Sequence, residues 1–77
     1  MIKNNFNIEE FKATIADLFE VNVSDLSDEY DLSVLIKDSI DLGELVAILK
    51  SRYGVEPKNW ESFKVETKLQ EVFANFE

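Results

Sequence analysis

Apolar residues recur along this chain at the spacing of helices rather than in the alternation of half-buried strands. Ile8, Phe11, Ile15, Leu18 and Phe19 fall at offsets of three, seven, ten and eleven, which predicts a first helix. Asn7 with Glu10 three residues on resembles a capping box, with Asn in place of the usual Ser or Thr, and Asn22 is the expected stop near Val21. Near the other end, Leu69, Val72, Phe73 and Phe76 lie at i, i+3, i+4 and i+7, and Thr67 with Gln70 forms a capping box ahead of them. That is the last helix.

Between these two, residues 38–54 read as the helix around which the chain is organised. Leu42, Leu45, Val46, Leu49 and Tyr53 share an arc of about 100°, the width of a stripe that faces a core. The opposite face carries Ile40, Asp41, Glu44, Ala47, Ile48 and Ser51, apolar and acidic together, a composition that suits a docking surface. Asp38 or Ser39 caps the start, Asp41 and Glu44 complement the positive end of the dipole, and Lys50 and Arg52 complement the negative end. Gly54 takes the left-handed conformation that ends the helix. Gly43 is discordant, because an interior glycine costs about 1 kcal/mol relative to alanine; it either admits a neighbour or ligand closely or is tolerated.

Residues 21–37 hold no period and are dense in Ser, Asp and Asn. They read as a long loop, tethered to the core by Val23, Leu26, Tyr30, Leu32, Leu35 and Ile36. Val34, Leu35 and Ile36 alternatively form a short strand, for which the sequence shows no partner. Pro57 opens a further short helix in which Trp60 and Phe63, three apart, face inward. The expected fold is all-α: a single domain over residues 1–77, built as a small bundle of three longer helices and one short one, with the long loop between the first two.

Composition narrows the chemistry. With neither Cys nor His in the chain, thiolate metal sites, His-liganded zinc and a Ser-His-Asp triad are all excluded. The net charge is −8, which disfavours nucleic acid and anionic lipid as partners and favours basic proteins. Seven of the acids lie in residues 25–44, against Lys37 alone, so that segment is the electrostatic front. No stretch approaches the roughly 18 apolar residues of a membrane span, and residues 1–5 lack the run of a signal peptide. The expected location is the cytoplasm, with no membrane insertion.

Ser39 is the residue on which a function turns. Its plain role is a helix cap. Its other role is that of an acceptor: no group in the chain activates it as a nucleophile, so another enzyme must modify it, and the helix N-terminus favours a phosphate on its oxygen.

Asp38-Ser39-Ile40-Asp41 and the helix after it resemble the Asp-Ser-Leu motif and second helix of the acyl carrier proteins, and the likeness in length, charge, helix order and long first loop extends over nearly the whole chain. The resemblance implies that Ser39 carries 4′-phosphopantetheine, transferred from coenzyme A by a Mg²⁺-dependent transferase, with acyl or aminoacyl groups held on its thiol as thioesters. It implies that Asp38 assists recognition by that transferase. Ile40, Asp41, Glu44 and Ala47 match positions of the docking helix for loading and processing enzymes with basic patches. Ile48 and Lys50 border that face. On this basis the chain is a non-catalytic monomer of lipid or secondary-metabolite synthesis, binding neither metal nor nucleic acid.

Three departures point to a dedicated rather than a housekeeping carrier. Ile40 stands where Leu or Met is usual; Leu35-Ile36-Lys37 replaces Leu-Gly-Ala or Leu-Gly-Gly before the motif; Lys50 stands where fatty acid carriers often have an acid. Two rivals are a plain acidic interaction module in which Ser39 is only a cap, and a Ca²⁺-binding helical protein. The second is weak, since Asp28-Glu29-Tyr30-Asp31 lacks the alternating ligands, central Gly and closing Glu of an EF-hand loop.

Overall fold

The computed structural model describes residues 6–58 and 67–76. Within them the chain forms three α-helices, α1 (Ile8–Phe19), α2 (Ser39–Tyr53) and α3 (Leu69–Ala74), and two 3-10 turns, Val23–Asp25 and Leu32–Val34, in the connection from α1 to α2. The described residues contain no strand, only an isolated antiparallel bridge between Asp31 and Lys68. The described residues are all-α. Pro57, expected to open a short helix, is not helical, and Trp60 and Phe63 lie outside the described residues.

Helix α1 starts where the sequence indicates. The Asn7 side chain accepts the Glu10 N–H at 2.9 Å, satisfying one of the free donors of the first turn. The Glu10 carboxylate is not the second half of a capping box, however; its Oε1 accepts the Tyr53 hydroxyl at 3.0 Å, which ties the start of α1 to the end of α2. The helix ends earlier than Asn22, at Glu20, which takes a left-handed conformation (φ 59°, ψ 48°) and donates its N–H to the Ala16 carbonyl. Val21 N–H reaches the same carbonyl, so the turn is closed by a Schellman-type bond without a glycine.

The connection that follows is draped over the core much as its apolar spacing suggests. Leu26 and Leu32 are buried, and Tyr30, Leu35 and Ile36 pack against the core. Val23, at 49% exposure, is not a tether. Residues 34–36 do not form a strand: Leu32–Val34 is a 3-10 turn, started by Asp31, whose side chain accepts the Ser33 N–H. A local Asx turn of this kind competes with extended backbone and wins here.

Helix α1 is the hub, packing against α2, α3 and the first 3-10 turn. One core joins Phe11 and Ile15 of α1 to Leu26, Leu32, Leu45, Leu49, Val55, Leu69, Val72 and Phe76. In the predicted stripe of α2, Leu45 and Leu49 are fully buried and Val46 and Tyr53 pack on the core, while Leu42 is only half-buried at the edge. At the Tyr53 end an aromatic group locks the elements together: the Phe6 ring lies 5.0 Å from Tyr53 and 5.3 Å from Phe73, and the Phe11 ring 5.5 Å from Phe73. Such pairs contribute about 0.5–1.5 kcal/mol each beyond their buried area.

Helix α3 is six residues long and does not use the expected Thr67–Gln70 capping box. Lys68 occupies the cap position with no side-chain bond. The first two N–H groups, of Leu69 and Gln70, donate instead to the carbonyls of Tyr30 and Asp28, both at 2.8 Å. At the far end the Asn75 carbonyl accepts the Lys58 N–H at 2.7 Å.

Candidate functional site around Ser39

Ser39 is the first residue of α2 and is exposed. The cap is made by its neighbour: Asp38 Oδ1 accepts the N–H groups of Ile40 and Asp41, each at 3.0 Å. Extended backbone at Asp38 (φ −151°, ψ 179°) aims its carboxylate back over the first turn. Of the two capping candidates in the sequence, therefore, Asp38 fills the role, and the Ser39 hydroxyl is not needed for it.

The next turn is tied down as well. Asp41 Oδ2 accepts the Lys37 backbone N–H at 3.1 Å, which fixes the chain entering the helix. Asp41 is accordingly half-buried and partly spent on local structure, whereas Glu44 and Ala47 are exposed. Ile40 is 71% exposed, the most exposed large apolar side chain among the described residues, and Val34, shortly before it in the chain, is 55% exposed. Ile48 is half-buried and lies at the margin of this face. Gly43 is exposed, and a Cβ built on it meets nothing within 4 Å, so no neighbour among the described residues requires the glycine.

Lys50, expected to border the face, forms an exposed ion pair with Glu56 at 3.2 Å. A pair of this kind is worth between about 0 and 1 kcal/mol, so it holds Lys50 only lightly. Arg52, at the same end, reaches Asp17 of α1 at 3.5 Å. Ser39 and Tyr53 stand at opposite ends of α2, separated by about 21 Å at the helical rise, so the serine is remote from the aromatic group.

In the connection before α2 lies a cluster that the sequence pattern did not single out. Asp31 Oδ1 accepts the Ser33 hydroxyl at 2.6 Å and the Ser33 N–H at 3.0 Å. The Ser33 hydroxyl, the Ser33 N–H and then the Thr67 hydroxyl hold the Asp31 carboxyl below its ordinary value, since each favours the charged form. The Asp-x-Ser spacing was the available signal; Thr67 is far away in sequence and was not.

What this arrangement does chemically is limited. The carboxylate nearest to Ser39 in sequence is committed to backbone donors, and the chain has no imidazole to take the hydroxyl proton. Among the described residues no group of three or more acidic side chains is disposed to hold a metal ion, and no helix is long and apolar enough to cross a membrane. An exposed hydroxyl in the first turn of a helix, with the cap supplied by another side chain, is open to modification, and a negative group there gains about 0.3–1 kcal/mol from the dipole. Compared with protein-family models, with curated proteins and with solved structures, the chain gives no match to any of the three.

Proposed function

We propose that this chain is a carrier protein whose Ser39 bears 4′-phosphopantetheine and presents acyl or aminoacyl thioesters to partner enzymes. The observation that carries this reading is the pairing at the start of α2, where Asp38 makes the cap and leaves the Ser39 hydroxyl exposed beside an exposed isoleucine. The Asp-Ser-Ile-Asp motif and the acidic front of residues 25–44 support it in addition.

In the transfer, the Ser39 oxygen attacks the phosphorus next to pantetheine in coenzyme A, a P–O bond of the diphosphate breaks, and the 3′-phosphorylated adenosine monophosphate leaves. The hydroxyl proton passes to a base on the Mg²⁺-bound transferase. Asp38 holds the turn and marks the serine for that enzyme. Ile40, Glu44 and Ala47, with Asp41 and Ile48 at the margin, form the face on which basic patches of loading and processing enzymes dock, and Lys50 tunes which of them do so. The chain is itself non-catalytic and works as a cytoplasmic monomer.

Incubating the apo protein with coenzyme A, Mg²⁺ and a broad-specificity transferase tests the proposal. Intact mass rises by one phosphopantetheine, and Ser39→Ala stays unshifted; a wild type that stays unshifted with several transferases contradicts it. The exposed Ile40 and Val34 equally suit an acidic interaction module with no prosthetic group. That second reading predicts the unmodified mass.

A further inference from the structure

Helix α3 is capped by a remote piece of the chain. Its first two N–H groups bond to the carbonyls of Tyr30 and Asp28, and the Leu32 N–H returns a bond to the Thr67 carbonyl, all at 2.8 Å. These two groups are thereby satisfied from outside the helix, and the next two, of Glu71 and Val72, donate to the Lys68 carbonyl. Six residues are too few for a helix to persist in water by itself, so α3 depends on these bonds, on its buried Leu69 and Val72, and on Phe73 against Phe6 and Phe11. Segment 28–32 depends on α3 in turn. It is also fastened by the Asp31 turn, by the buried Leu32, by Tyr30 packed on the core, and by the ion pair of Asp28 with Lys12, 2.8 Å apart, with Lys12 largely covered.

We propose that segment 28–32 is a strap over the start of α3, and that strap and helix open and close as one unit. Opening uncovers the part of the core that Leu69 and Val72 fill, and it begins in the same connection that leads into α2. The device follows from the backbone bonding and is independent of any modification of Ser39.

Native-state hydrogen exchange of the full chain, followed against denaturant, tests it. The amides of Leu32, Leu69 and Gln70 share one opening free energy and one denaturant dependence, both lower than those of Leu45 and Leu49 in α2. Lys12→Met, which removes the ion pair but keeps an apolar stem, speeds exchange of all three together, by about two- to fivefold. Faster exchange at Leu32 with Leu69 and Gln70 unmoved overturns the proposal. If that variant fails to fold, the wild type decides: three separate dependences, or three that coincide with Leu45 and Leu49, overturn it equally.

Discussion

The Asp41 carboxylate accepts the Lys37 backbone N–H at 3.1 Å, so the chain before Ser39 and the helix after it are joined across the serine. With Asp38 holding the N–H groups of Ile40 and Asp41, the turn that presents Ser39 is built by its two aspartates. The serine is presented by that turn and does not make it.

Stability should divide accordingly. Asp38→Ala is expected to cost about 1 kcal/mol, the usual loss on removing a cap, while Ser39→Ala stays within about 0.5 kcal/mol of wild type. Urea unfolding of the two variants measures this. Equal losses would mean that the serine shares the cap.

Gly43 gives a test with the opposite sign. Since a Cβ there meets nothing within 4 Å, Gly43→Ala is expected to stabilise the protein by up to about 1 kcal/mol. A rise in urea midpoint at constant slope is the expected result. A loss of stability would show that the helix needs the glycine for a reason the local geometry does not contain.

Acid sensitivity follows from Asp31. Its pKa is lowered in the folded state from the ordinary 3.8, so the unfolded chain binds the proton more readily. The carboxylate therefore adds stability above pH 3.8, and that contribution is lost as pH falls through the lower, folded value. Asp31→Asn should show a shallower decline in stability than wild type below about pH 4. Parallel acid-unfolding curves for the two proteins would contradict the assignment.

Much of this arrangement was legible in the sequence, and what was not has physical causes. The apolar periods located α1, α2 and the apolar side of α3, because burial of a stripe dominates helix placement. Asn7 was readable as a cap because its acceptor lies three residues from its donor; the cap of α3 was not, because Tyr30 and Asp28 are brought to it only by folding. Glu20 illustrates the same limit. A glutamate carries no signal for a left-handed turn, and the sequence pointed to Asn22, a residue type that adopts it more readily. At the site, periodicity placed Ile40, Glu44 and Ala47 on the open face, but it could not foresee that Asp41 would turn back to Lys37.

On the proposed carrier function, charge along that face is expected to select partners. Lys50→Glu should make the modified protein a better substrate for enzymes of general fatty acid synthesis, since a basic patch then meets attraction where it now meets repulsion. Glu44→Lys should weaken loading by every partner, the transferase included. Loading rates at two salt concentrations check both, and rates unchanged by Lys50→Glu would shift selectivity to Lys37 and the connection before Ser39.

The central claim is that Ser39 carries the arm, and intact-mass analysis of the protein isolated from its own cells tests it most directly. The account predicts a mass raised by one phosphopantetheine, alone or with an acyl or aminoacyl cargo, and a fragment spectrum that places the addition on Ser39. An unmodified chain, or an addition on any other residue, would contradict it.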